Sequence, residues 1–495
     1  MATDGGGGDA DPSRAPPPPT PRLPWRDDPR ATAVIVASAL FMQNLDGTAV
    51  ATALPAMAAD LGETPLHLSA AITAYLVSLT VLVPVSGWVA DRFGAKRVFL
   101  LAILVFVAAS AACGLATGLG ELVAARAVQG AGAALMVPVA RLLLLRRVTK
   151  EELVRATTWL TMPGLLGPIL GPPVAGFLTD ALSWRAVFLI NLPVGALGLL
   201  MAWRFVPDPP RVADPPPLDA RGVALVGGSL AALVLALETV GRGLVPAWAT
   251  LAGFGAGVAV GLAALRHLRR AADPAVDLTL LREPAFAASC VAGTLFRVGA
   301  GATPFLVPLS LQLGFGVSAT VSGLVSLATA LGAIASKPVV GALLRAFGFR
   351  GVLVWNGLAA AGGIAALALV GPSWPLWAVF VLLALGGVFR SVQFTALNTL
   401  AYAELPAERL SAATSLYATI QQLSLALGVV VGSGALAAAA AVTGGGPGGT
   451  PGAGDFPAAF LIAALPVLLA MPLAARLPPE AGAQVSGHRG GPARR

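Results

Sequence analysis

The feature that most restricts this chain is a series of fourteen apolar runs, each of about the 17 to 25 residues needed to cross a hydrocarbon core. In lipid the backbone must satisfy its own hydrogen bonds, and runs of this length without strict two-residue alternation do so as helices. The runs predict helices at 31–54, 68–89, 97–117, 121–144, 156–180, 185–205, 220–240, 246–268, 286–313, 318–343, 350–371, 375–399, 411–440 and 456–477. An even number of crossings puts both termini on one side. Only 11% of the residues are charged and 56% are hydrophobic, against roughly 25% charged in soluble chains, so an all-α polytopic membrane protein is expected.

Outside the predicted helices, nearly all lysines and arginines fall on the side of the termini. By the positive-inside rule both termini are expected in the cytoplasm, with the chain in the cytoplasmic (inner) membrane. Residues 1–30 and 478–495 read as disordered cytoplasmic tails, and the first has no apolar core that would make it a cleaved signal. The net charge of +8 sits in loops where lipid headgroups account for it, so nucleic acid is not an expected partner.

Several chemistries are unsupported. His67, His267 and His488 lie at span edges, in loops or in a tail, which leaves no paired metal or haem ligands within the membrane. Lys96, Lys150 and Lys337 never stand in a phosphate-cradling GK[ST] context, so no nucleotide is expected. Glu151, Glu152, Glu404 and Glu408 read as solvated loop charges rather than an enzyme's acid cluster, and Cys113 and Cys290 lie inside spans. No enzyme activity, metal or cofactor is expected; the partners are a small-molecule substrate, protons and membrane lipid.

The stretch "SGWVADRFGAKR" concentrates charge in the turn between the second and third runs. Gly87 would permit close helix approach and Gly94 a sharp turn. The pattern formed by Gly87, Asp91, Arg92, Gly94, Lys96 and Arg97 resembles the signature of the major facilitator superfamily. "LDGTAVATALP" (45–55), "RAVQGAGAALMVP" (126–138), "LLGPILGPPVAG" (165–176) and "SWRAVFLINLPVG" (183–195) are similar, in order and spacing, to its fourteen-helix drug:proton antiporter branch. "VPLSLQLGFGVSATVSG" (307–323) extends the likeness. The sequence departs from the branch at Ala51 and Ala70, where asparagine and tryptophan are usual.

The resemblance implies two six-helix bundles, at 31–205 and 286–477, with two inserted helices and their linkers at 206–285. An internal repeat supports two halves: Gly87, Phe93, Gly94 and Lys96 recur as Gly341, Phe347, Gly348 and Arg350, with Arg345 in the place of Asp91. It also implies a proton-coupled exporter of the multidrug type, in which the Asp91–Arg92 turn locks the bundles in one state. A topology signal alone would explain the three bases but not Asp91.

Charges at membrane depth are costly and mark function by default. Asp46, among Gln43, Asn44 and Thr48, is the candidate proton site, the alternative being a hydrogen-bonded structural acid. Arg126, with Gln129 on its helical face, is a coupling residue or a structural partner of the gate acid Asp91. Gly164, Gly167, Gly171 and Gly176 with Pro168 and Pro172 match the branch's antiporter helix, although close packing alone would need the glycines. Arg297 and Arg390, with Gln43 and Gln393, are candidate substrate contacts. Arg126, Arg297, Arg390 and Lys337 outnumber Asp46 and Glu238, and that surplus opens an alternative cargo, small organic anions such as carboxylates or their metal chelates. A passive facilitator or a non-transporting membrane partner is the remaining alternative.

Overall fold

The computed structural model describes residues 29–145, 153–206, 208, 217–239, 246–271, 274, 276–406, 409–443 and 451–488. The long helices are α1 (Pro29–Leu61), α2 (Pro65–Phe93), α3 (Ala95–Leu115), α4 (Leu119–Leu145), α5 (Leu153–Ala181), α6 (Ala186–Phe205), α7 (Ala220–Glu238), α8 (Ala247–Leu268), α9 (Pro284–Gly314), α10 (Ala319–Ala335), α11 (Lys337–Leu369), α12 (Leu376–Ala403), α13 (Leu410–Val442) and α14 (Phe456–Ala475). They lie along the fourteen runs read from the sequence, and among the described residues eleven stretches are long and apolar enough to cross a membrane.

Local chemistry sets the ends. Thr64 caps α2 through the amide of His67 at 3.2 Å, with Pro65 opening the helix, and Asp219 caps α7 through the amide of Gly222 at 2.8 Å. Gly94, at φ 94°, makes the turn between α2 and α3 that a residue with a Cβ would strain. The tenth crossing runs through Ser336 into the first part of α11, and the chain breaks at Gly348, at φ 65° and ψ 173°, in the gap expected between the runs 318–343 and 350–371.

Small residues set the packing, as expected where lipid removes any hydrophobic drive between helices. A Cβ on Gly167 would lie 2.7 Å from Asn44 and one on Gly171 would strike Thr48, so α5 rides directly on α1. Gly132 lets α4 onto the backbone of α3 at Phe106, and Gly428 meets Gly301 where α13 crosses α9. The first six helices pack on one another, as do α9 to α14. The two groups meet where α5 lies against α10, α2 against α13 and α1 against α9. The pair α7 and α8 packs together and touches α2 and α13 through α7. Only 11% of the most apolar stretch of α8 is buried, against 72% for α9, which places the pair at the perimeter.

Two sequence expectations change here. Gly87 does not serve close packing, because it is exposed and an added Cβ would meet nothing within 4 Å. The stretch from 478, read as a disordered tail, is ordered as far as His488 and includes a short helix, α15 (Ala483–Ser486). Buried Leu477 and Ala481 anchor it, the Gly482 amide donates to Glu404 at 2.9 Å, and the His488 ring bonds the carbonyl of Arg345 at 2.9 Å. Residues 1–28 and 489–495 lie outside the described residues.

Candidate functional site

Asp46 sits near the middle of α1 with no solvent exposure. Its Oδ2 accepts from Nη1 of Arg126 at 2.6 Å, and its Oδ1 accepts from Nε2 of Gln129 at 3.0 Å and Nδ2 of Asn191 at 3.1 Å. Arg126, 1% exposed, also donates to Oε1 of Gln129 at 2.7 Å and to the carbonyl of Ala71 at 3.3 Å. Its guanidinium lies 4.3 Å from the centre of the Tyr75 ring and 5.7 Å from that of Phe188. Behind Asn191, Ser110 accepts its amide at 3.0 Å and donates to the carbonyl of Phe188 at 2.9 Å. Five helices, α1, α2, α3, α4 and α6, therefore enclose one ion pair.

The geometry is that of a buried charge pair whose carboxylate oxygens are both bonded, a condition that helps such a pair survive in low dielectric. The sequence identified Asp46, Arg126 and Gln129 but not Asn191, Ser110 or Tyr75. Asn191 stood inside the signature stretch 183–195, and a lone amide among apolar residues at that depth was the available signal. Arg126 is bonded to Asp46, and no bond to Asp91 joins it among the described residues. Asp91 is half-buried at the end of α2, Arg92 and Arg97 are exposed, and Lys96 donates to the carbonyl of Trp203 at 2.9 Å.

Between the two groups of helices lies a cavity of about 320 Å³. Thr48, Pro168 and Pro172 line it from one side, and Thr303, Pro304, Ser326, Lys337, Arg390 and Ser391 are among the residues on the other. Pro304 and Pro308 interrupt α9, which ends in a wider turn at Ser310–Gly314, and this bends its wall. Among the described residues the wall carries two cations and no acid. Lys337 donates to Thr395 at 3.3 Å, while Arg390 makes no ion pair or hydrogen bond among the described residues. The other proposed substrate contacts lie elsewhere. Gln393 is buried and ties α12 to α11, donating to the carbonyl of Leu353 at 2.9 Å and accepting from Asn356 at 2.9 Å. Gln43 is half-buried and off the cavity wall. Arg297 is 1% exposed inside the second group, where Nη2 donates to the hydroxyl of Tyr417 at 2.5 Å and to Oδ1 of Asn398 at 3.1 Å. Apolar run length and helical spacing could not tell which of these faced the other half.

On the side away from the termini the halves are joined. Gly176 presses on the backbone of Ala319 and Gly323 on that of Pro172. The Asp180 carboxylate accepts from the amide of Thr320 at 2.7 Å, at the start of α10, and Gln312 donates to the carbonyl of Thr52 at 2.8 Å. Helix α5 thus divides its residues: Gly167 and Gly171 face α1, Pro168 and Pro172 the cavity, and Gly176 the other half. The surroundings of Gly164, and the side chain of Glu238, lie outside the described residues.

The family model described as Major Facilitator Superfamily matches residues 36–269 and 285–494. The chain belongs to this superfamily. It is a multi-pass membrane transporter. It is 39% identical over 398 residues, 80% of this chain and 85% of the relative, to "Putative multidrug resistance protein MdtD" of Pectobacterium atrosepticum. It is 38% identical over 411 residues, 82% of this chain and 86% of the relative, to the protein of the same name in Salmonella typhimurium. Among solved structures, the nucleoside transporter NupG aligns with a TM-score of 0.62 at 15% identity, covering 90% of this chain and 98% of that one. A bacterial homologue of the human lysosomal transporter Spinster aligns at 0.64 and 16% identity, covering 95% and 100%. These last two likenesses concern the fold alone.

Proposed function

We propose that this superfamily member exports small molecules across the cytoplasmic membrane in exchange for protons, with both termini in the cytoplasm. The observation that carries the proposal is the fully buried Asp46–Arg126 pair, the one acid–base couple at membrane depth in the first half among the described residues. Protonation of Asp46 removes the charge that holds Arg126 and frees the polar groups of α1, α4 and α6 to rearrange. Deprotonation restores the pair. A site whose two protonation states favour two arrangements converts a proton gradient into a bias between conformations. One charge crossing 150 mV contributes roughly 3.5 kcal/mol, a few-hundred-fold concentration gradient. In this reading Asp91 and Arg92 form the cytoplasmic gate, the α5–α10 seam is the external gate, and residues 31–205 and 286–477 move as the two bundles.

A second reading concerns the cargo. The names of the MdtD relatives favour drugs, commonly lipophilic cations, yet Arg390 and Lys337 give the cavity a positive wall without an acid. Such a wall favours a small organic anion, since guanidinium groups recognise carboxylates in a planar, bidentate manner.

One experiment tests coupling and cargo. Energised inside-out vesicles with wild type or Asp46→Asn are given a lipophilic cation or a small carboxylate, and collapse of the pH gradient is followed. The anion reading expects collapse by the carboxylate in wild type only. Collapse by the cation alone returns the cargo to the multidrug class, and a gradient that neither compound collapses contradicts proton exchange and leaves a passive facilitator.

A further inference from the structure

Arg297 is as deeply buried as Arg126 but has no acid beside it among the described residues. Its Nη2 meets neutral oxygens, on Tyr417 and Asn398, and its Nε and Nη1 reach no hydrogen-bond acceptor among the described residues. The rings of Tyr417 and Phe394 lie 4.9 and 5.7 Å from the guanidinium carbon. These soften the charge but do not neutralise it. A second observation closes the obvious escape: α9 to α14 contain no aspartate or glutamate anywhere in their sequence. No rearrangement of those six helices alone can therefore give Arg297 a carboxylate.

A guanidinium removed from water needs a counter-charge or a large compensating set of acceptors, and it cannot escape by losing its proton. The surroundings are otherwise arranged to receive it. Gly293, one turn earlier on α9, leaves the space in which Nη1 lies, because a Cβ there would approach within 2.6 Å. Gln421 donates to Asn398 at 3.0 Å, which holds the amide oxygen toward Arg297, and Ser424 donates to Thr294 at 3.3 Å on the same face of α9. The cluster is thus an ordered set of polar side chains with two charged donors left over.

We infer that Arg297, with Tyr417 and Asn398, forms a binding site for a small inorganic anion of the chloride class inside the second bundle. Arg297 lines none of the three cavities described in the molecule, the widest of which is the 320 Å³ cavity at Arg390. A single compact ion needs less room beside Arg297 than a cargo molecule would. The inference does not rest on proton exchange or on the nature of the cargo.

The test is equilibrium binding of radiolabelled chloride to the purified full-length protein in detergent. About one chloride per chain is expected, displaced by bromide but not by gluconate, lost in Arg297→Gln and retained in Arg390→Gln. Binding that survives Arg297→Gln, is lost in Arg390→Gln, or is displaced by the small carboxylate used in the vesicle assay overturns the assignment. Should Arg297→Gln fail to fold, the wild type alone decides: its thermal unfolding midpoint should rise saturably when chloride replaces gluconate at constant ionic strength. A midpoint that is equal in the two salts overturns the assignment.

Discussion

Two buried arginines, one in each half, meet the same difficulty in different ways. Arg126 lies 2.6 Å from a carboxylate, and each oxygen of that carboxylate is itself bonded. Arg297 has a phenol and an amide, with no acid in the six helices around it. The first is a closed charge pair; the second is a positive charge with no carboxylate beside it among the described residues. In the proposed function the difference assigns different work to the halves: the first carries the proton switch, while the second, with Arg390 and Lys337 on the cavity wall, carries positive charge toward the cargo.

Substitutions can break that comparison. The largest effect is expected from Asp46→Ala, which strands Arg126 as an unpaired buried charge and should destabilise the protein by about 3 to 5 kcal/mol. The double variant Asp46→Asn, Arg126→Gln should recover much of that loss in a cycle of denaturant-unfolding measurements. Arg297→Gln strands no acid, so in chloride-free buffer it should cost far less than Asp46→Ala. Equal losses would remove the distinction between the two arginines.

Asn191→Ala sharpens the comparison from the first half. It removes one of two bonds to Oδ1 of Asp46 and should cost about 1.5 to 3 kcal/mol, as for other hydrogen bonds to charged groups. Asp180→Ala should cost less, about 0.5 to 2 kcal/mol, as the loss of a helix cap does. Its main signature should be greater thiol-reagent access to a cysteine placed at Thr320, whereas Asp180→Asn, which can still accept the amide, should stay close to wild type.

The smallest effect lies outside the membrane. Partial burial opposes ionisation of Asp277, but bonds from Thr279 and the charge of Arg409 outweigh it and hold its carboxyl below the usual range. Asp277 therefore stabilises the fold at pH values above the ordinary aspartate range, and that contribution fades as pH falls through its lowered value. Asp277→Asn should lower the unfolding midpoint slightly at pH 7, and the difference from wild type should shrink in acid.

Much of this was legible in the sequence because a bilayer leaves few choices. Run length alone fixed the crossings, and Asp46 and Arg126 stood out as charges that lipid does not tolerate without reason. The direction each side chain faces was not legible. A helix that is apolar on every side has no polar face to orient it, so Arg297, Gln393 and Arg390 read alike although only Arg390 reaches the cavity. Asn191 was missed for a related reason: an uncharged amide raises the hydropathy pattern's alarm far less than a carboxylate, yet here it completes the hold on Asp46. Gly87 shows the opposite error, since a glycine in a signature was given a packing reason that its open surroundings do not support.

The central claim is that the first half couples and the second half carries. Reconstituted vesicles test it most directly by comparing uphill substrate movement driven by an imposed pH gradient with substrate exchange at equal pH, in wild type, Asp46→Asn and Arg390→Gln. The account predicts that Asp46→Asn loses the uphill movement and keeps exchange, while Arg390→Gln loses both. Uphill movement that persists in Asp46→Asn would contradict it.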